Sequence, residues 1–188
     1  MMDEERSRKR LGLLTGIRII VLNDDLAKEL FSEGFYGKPF GIHKPKPEEA
    51  RAPLELSLIE ALYLMEKGLL RISNGEREIS IDELRRYAES IIPKFNLLYI
   101  VYKDLRDKGF VVRSGMKFGC DFAVYEFGPG IDHAPYLIHV LSINDELTPL
   151  EIVRAGRLSH SVRKRFILAI VDGERGQVKY VMFKWRKP

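Results

Sequence analysis

The stretch FNLLYIVYKDLRDK, residues 95–108, sets Leu98, Val101, Tyr102 and Leu105 at the spacing of one helical face and then meets Gly109. That pattern predicts an α-helix with a glycine stop. Directly beyond it the period changes. Phe110–Arg113, Phe122–Phe127 and Tyr136–Ile143 alternate as strands, with turns at Ser114-Gly115 and Gly128-Pro129-Gly130. Helical spacing returns over Leu150–His160, and Ser161 opens the segment Val162–Arg165. Phe166–Val171 is a wholly apolar run of strand length, Asp172–Gly176 a turn, and Val178–Trp185 a closing strand. A helix, several strands, a second helix and two further strands amount to a mixed sheet with helices packed on it.

Upstream, the boundary falls near Pro93. Leu11–Asn23 reads as a short strand pair turning at Thr15-Gly16, and Asp24–Glu33 as a helix with Gly34 at its stop. Tyr36–Pro53 breaks every regular pattern: Gly37, Pro39, Gly41, Pro45 and Pro47 are interleaved with Lys38, His43, Lys44 and Lys46. It is expected to be a long exposed loop, and loops of that length in compact domains usually have a use. Ser57 with Glu60 forms a capping-box pattern ahead of a helix that runs to Gly68. Leu69–Ser73 is strand-like, Asn74-Gly75 a turn, and Ser80 or Asp82 caps a helix over Glu83–Ile91. The expected class is therefore α+β. A small N-terminal α/β domain, residues 1–93 with the basic Pro-rich loop 36–53, precedes a mixed-sheet domain, residues 94–188.

Composition narrows the function. The 188 residues are 45% hydrophobic and 31% charged, with one cysteine, Cys120. One cysteine allows neither an internal disulfide nor a Cys-rich zinc site. The longest apolar runs are strand-sized, far below the ~20 residues of a membrane span. No apolar segment follows the charged N-terminus, so a cytoplasmic protein is expected. The net charge of +4 is unevenly placed: residues 1–94 carry 16 Lys/Arg against 17 Asp/Glu, and from Arg154 onward the count is 10 against 2. A cationic end of this kind attracts polyanions, nucleic acid foremost, although a solvated basic surface would look the same.

Tyr125, His133 and Lys164 stand out as possible chemistry. Tyr125 lies in a strand, His133 just past the Gly128–Gly130 turn, and Lys164 in the run Arg163-Lys164-Arg165 before the apolar strand. If the strands on either side of the turn pair as a hairpin, Tyr125 and His133 reach one end of the sheet. Spacing alone leaves the bland readings open: a packing tyrosine, a surface histidine, a solvated lysine. His139, inside an apolar strand, reads as structural. His160 reads as a turn cap, and His43 as part of the basic loop.

The run Tyr102-Lys103-Asp104-Leu105-Arg106-Asp107-Lys108-Gly109-Phe110, followed by Gly115-Met116-Lys117-Phe118-Gly119-Cys120-Asp121-Phe122, resembles the signature of the archaeal tRNA-splicing endonucleases. Ser57–Leu64 resembles their N-terminal domain, so the likeness covers nearly the whole chain. Tyr125, His133 and Lys164 fall in the order expected there. The resemblance implies a C-terminal nuclease domain of restriction-endonuclease-like type and an RNA-cleaving lyase that needs no metal or other cofactor. It would excise introns from precursor tRNA at bulge–helix–bulge sites. Tyr125 would take the proton of a ribose 2′-OH, which attacks the adjacent phosphorus. His133 would protonate the leaving 5′-oxygen, and Lys164 would offset charge on the phosphorane, leaving a 2′,3′-cyclic phosphate and a 5′-OH.

A tyrosine ordinarily ionises near pH ~10, so the phenolate needs a stabilising charge, for which Lys164 is the natural candidate. The resemblance also implies a cation–π clamp on a bulged base, with Arg157 as one member and Lys184 or Arg186 as the other. Lys44, at the tip of the 36–53 loop, is expected to touch RNA and widen the substrate range. An assembly with two-fold symmetry is implied, either a homotetramer or, as the insertion suggests, a heterotetramer of two catalytic and two structural chains. The C-terminal strand would join chains by its edge, and the acidic loop Ile143–Thr148 would dock on an opposite subunit. Two other readings compete. One is a non-catalytic RNA-binding or structural subunit of the same assembly, which would be free to lose one of the three residues. The other is a metal-dependent nuclease, against which stands the lack of paired carboxylates with a following lysine at strand spacing.

Overall fold

The computed structural model describes residues 10–43, 45–131, 133–149, 153 and 164–182. Lys44, Arg157, Lys184 and Arg186 lie outside the described residues, as do nearly all of the helix expected over Leu150–His160 and the end of the strand expected to reach Trp185. The chain divides into two compact units, 1–93 and 94–188.

In the first unit a six-stranded sheet is ordered β3-β4-β2-β1-β5-β6. Its strands are β1 Leu11–Thr15, β2 Arg18–Val21, β3 Lys38–Pro39, β4 Leu54–Ser57, β5 Arg71–Ser73 and β6 Glu78–Ile79. Only β1 and β5 run parallel. Three helices accompany it: α1 Asp24–Gly34, α2 Leu58–Glu66 and α3 Ile81–Ile91. The caps follow local chemistry. Asn23 accepts from the Leu26 amide at 2.9 Å ahead of α1, and Ser57–Glu60 and Ser80–Glu83 form complete capping boxes ahead of α2 and α3. Ser80, rather than Asp82, is therefore the cap of α3.

Two departures from the sequence reading have plain causes. The left-handed residue after α1 is Phe35, at φ 52°, not Gly34. A Cβ on Gly34 would lie 2.1 Å from the Tyr36 ring, so that glycine serves close approach instead. The segment 36–53 is also less open than expected. It contributes β3 to the sheet, carries a 3₁₀ turn at Pro47–Glu49, and is fastened back by Ala52 N donating to Asp24 Oδ1 at 2.9 Å and Phe40 N to Pro53 O at 2.8 Å. Gly37 N donates to the buried Glu60 carboxylate at 2.9 Å, which ties the start of the segment to α2. Lys38, His43 and Lys46 remain exposed on it.

The second unit begins with α4, Phe95–Asp107, and continues with β7 Val111–Ser114, β8 Phe122–Tyr125, β9 Tyr136–Ser142, β10 Arg165–Asp172 and β11 Gln177–Met182. These strands form a five-stranded sheet ordered β11-β10-β9-β8-β7. The β9–β10 pair is parallel, and the other pairs are antiparallel. A parallel neighbour demands a crossover, here supplied by residues 143–164. The apolar run Phe166–Val171 lies in β10, flanked by strands on both sides, which is why it needs no polar alternation.

One face of this sheet packs on α4. The Tyr102 and Phe122 rings meet at 6.1 Å, and Tyr180 Oη donates to Asp104 Oδ2 at 2.6 Å. The other face gathers Ala123, Leu137, Leu141, Phe166 and Leu168 with Cys120 and Ala134, and Tyr125 and Phe118 pack against that cluster. The architecture is α+β, with helices and mixed sheets in both units. No described helix is long and apolar enough to cross a membrane.

Candidate active site

Three chain segments meet at one end of the five-stranded sheet. β8 and β9 pair with Val124 opposite Tyr136, so Tyr125, the last residue of β8, ends beside the entry to β9. The strand stops there because Glu126 and Phe127 bend away. The expected extension to Phe127 is thus shortened by two residues, and Tyr125 sits at the rim. β9 and β10 pair with Tyr136 opposite Arg165, and Arg165 N donates to Pro135 O at 2.8 Å. That register sets Lys164 alongside residues 134–135, immediately after His133.

Alternation selects the face. Leu137 pairs with both Ala123 and Phe166, and Tyr125 and Lys164 stand two positions from Ala123 and Phe166, on the same side of their strands. The contacts agree. Lys164 Nζ donates to Ala134 O at 2.5 Å, Ala134 is buried in the cluster against which Tyr125 packs, and His133 is the preceding residue, exposed. Tyr125 and Lys164 thus lie at one end and on one face of the sheet, and His133 lies at the same end. Lys164 Nζ also lies 5.4 Å from the centroid of the Phe118 ring. The Ala134 carbonyl and Phe118 escaped the sequence reading as supports for Lys164. A carbonyl leaves no trace in a sequence, whereas Phe118 was visible inside Met116-Lys117-Phe118-Gly119.

Other polar side chains of this unit have structural work. Asp121 Oδ2 accepts from Val140 N at 2.7 Å and lies 2.8 Å from Nδ1 of His139, its cross-strand partner, so His139 helps bind β8 to β9 as expected. Cys120 is buried, and burial first, with the Asp121 charge second, pushes its thiol up to about 11. A thiol held neutral is a poor nucleophile. Burial and the bonded Asp104 carboxylate push the Tyr180 hydroxyl upward too. Among the described residues no group of three or more His, Cys, Asp or Glu is arranged to hold a metal.

In the loop Ile143–Thr148, Asp145 is engaged within its own unit. Lys94 Nζ lies 2.8 Å from Oδ2, and Ser142 N donates to it at 3.0 Å. The Lys94 bond is the chief cause that holds this carboxyl below the usual range. β11 lies at the edge of the sheet and exposes Val181 and Met182.

Residues 95–180 match the family model for the tRNA intron endonuclease catalytic C-terminal domain, and residues 10–85 match the model for the tRNA intron endonuclease N-terminal domain. The chain is 55% identical over 178 residues to a tRNA-splicing endonuclease of Hyperthermus butylicus, covering 94% of this chain and 98% of that one. It is 51% identical over 179 residues to a tRNA-splicing endonuclease of Saccharolobus islandicus strain L.S.2.15, and 50% identical over 179 residues to one of Saccharolobus solfataricus, with the same coverage.

Proposed function

The chain belongs to the tRNA intron endonuclease family, and on that premise we propose that it cuts precursor tRNA by metal-independent attack of a ribose 2′-OH. Its activity is that of a tRNA-splicing endonuclease. In the mechanism we infer, Tyr125 takes the proton from the 2′-OH at the cleavage site. The freed oxygen attacks the adjacent phosphorus in line. His133 gives a proton to the departing 5′-oxygen, and Lys164 neutralises the charge that grows on the phosphorane oxygens. The nucleophile comes from the substrate, so the chain need contribute none. The products are a 2′,3′-cyclic phosphate and a 5′-OH.

The observation that carries this reading is the meeting of the end of β8, the entry to β9 and the start of β10, with the Lys164 ammonium bonded to the carbonyl that follows His133. A side chain fixed in this way costs little further ordering when the transition state forms. A general acid–base pair contributes typically ~10²–10⁴-fold per group.

The remaining parts of the reading are proposals on the same footing. The substrate site is a bulge–helix–bulge, whose extruded base is held between Arg157 and either Lys184 or Arg186. Lys44 on the 36–53 segment adds RNA contacts that extend the range of introns. The working assembly pairs two copies of this chain with two structural chains, joined in part through the β11 edge, and the cytoplasm is its compartment.

Incubation of the chain with intron-bearing precursor tRNA in excess chelator, alone and with a structural partner chain, tests the chemistry. Cleavage should persist and leave 2′,3′-cyclic phosphate ends. Loss of cleavage in chelator that returns with a divalent ion, or 3′-hydroxyl ends, would overturn it. Size-exclusion mass of the active species reads the assembly.

A further inference from the structure

The turn between β7 and β8, at the start of β8, packs Phe118 on the same face of the sheet and brings a second cation toward Lys164. Met116–Phe118 is a single 3₁₀ turn, closed by Phe118 N donating to Gly115 O at 2.8 Å and Gly119 N to Met116 O at 3.0 Å. Gly119 takes φ +70°, the left-handed value that lets the chain reverse. Gly115 is wedged so closely that an added Cβ would meet Phe122 C at 2.8 Å and Cys120 O at 2.9 Å. This turn is held by backbone on both sides, and its tip points to solvent: Met116 is 83% exposed and Lys117 is exposed.

Phe118 has a double role within it. Its ring packs against the cluster that contains Ala134 and borders Tyr125. The same ring has the Lys117 ammonium 4.7 Å from its centroid and the Lys164 ammonium 5.4 Å from it. The two charges therefore stand within about 10 Å of each other. Two ammonium groups repel, and among the described residues Lys117 makes no hydrogen bond or ion pair with a carboxylate. The nearest acidic residue in sequence, Asp121, is engaged by His139 and Val140. An aromatic face tolerates a cation without neutralising it, so the Lys117 charge stays available. Such a pair is suited to an anion with more than one charged group along its length.

We propose that Lys117 is a second phosphate-binding cation of the site, and that Phe118 positions it together with Lys164 so that neighbouring phosphates of one RNA strand are gripped at once. The inference rests on the reading of Lys164 as the cation at the scissile phosphate. It adds a residue that contacts substrate, Lys117, and a positioning residue, Phe118.

Affinity should be measured for precursor tRNA with a 2′-deoxynucleotide at the cut, which binds but is not cleaved, across a salt series and in the active assembly. Single-turnover cleavage of the all-ribose precursor is measured alongside. Lys117→Gln should weaken binding about five-fold and lower the slope of log affinity against log salt by about one, and the cleavage rate is read at saturating enzyme. Phe118→Leu should lower that rate at least ten-fold as well as the affinity, and Phe118→Tyr should restore both. Lys164→Ala separates the two layers of the argument. If it cleaves normally, the reading of Lys164 has failed. If Lys164→Ala is inactive while Lys117→Gln keeps full affinity and an unchanged salt slope, the second-cation proposal alone has failed. Should Phe118→Leu not fold, the exposed Lys117→Gln still decides the matter.

Discussion

The stretch Tyr102–Phe122 and the three positions 125, 133 and 164 belong to the same unit and do opposite work. The first is where the family resemblance is most dense, and, Lys117 and Phe118 apart, its side chains are spent on the fold. Tyr102 and Phe122 meet between α4 and the sheet, Asp104 receives Tyr180 and Lys108, Asp121 ties β8 to β9, and Gly115 lets two segments approach. The second set lies at the rim, half-buried or exposed, and little of the core depends on it. What most clearly identifies the chain is thus not what would perform its chemistry. A signature can be demanding because a sheet end must be held within a fraction of an ångström.

That contrast is testable, and the largest effect belongs to the rim. His133→Ala and Lys164→Ala should each reduce single-turnover cleavage of precursor tRNA by about 10³-fold, and Tyr125→Phe by a similar factor, with thermal unfolding shifted by no more than a few degrees. A variant set that lost stability and activity together would erase the division between the two regions.

The stretch 102–122 should answer in the opposite sense. Gly115→Ala forces a Cβ against fixed backbone and should cost about 1–3 kcal/mol. Asp121→Ala strands the Val140 amide and should cost about 1–3 kcal/mol. Denaturant midpoints read both. Gly115→Ala and Asp121→Ala, where still folded at the assay temperature, should retain most of their precursor affinity. Tyr180→Phe deletes one bond to Asp104 and sharpens the scale, at about 1 kcal/mol.

The smallest effect concerns Cys120, which lies in the stretch 102–122 and is buried in the cluster against which Tyr125 packs. Its thiol, raised to about 11, is neutral at pH 7–8, and its thiolate appears only as pH climbs toward that value. Alkylating reagent at neutral pH should leave the cleavage rate unchanged, and modification of the folded chain should accelerate with rising pH. Rapid inactivation at pH 7 would place the thiol in the chemistry after all.

Some of this was legible without coordinates. The helix 95–107, the apolar β10 and the capping boxes at Ser57 and Ser80 announce themselves through local periodicity and side-chain–backbone chemistry. The strands β3, β4 and β6 did not. They are two to four residues long, and Leu54–Ser57 runs straight into α2, so its alternation is absorbed by the helical pattern that follows. Tyr125, His133 and Lys164 were nameable only through family likeness, since their spacing alone matches ordinary packing and surface residues. The end of β8 at Tyr125 and the tether of the 36–53 segment to Asp24 and Glu60 were likewise beyond reach, because both depend on distant partners.

The amino-acid order by itself settled which segments become helices and strands where the pattern is long enough, along with the family and the split of charge between the halves. These are properties of neighbours in the chain. The tertiary structure alone decided that residues 125, 133–135 and 164 share one sheet end, that Phe118 serves two lysines, and that Asp121 works with Val140 and His139. Strand register makes those choices. It is set by the burial of a whole face at once, and a slip of one residue would turn every side chain to the opposite side.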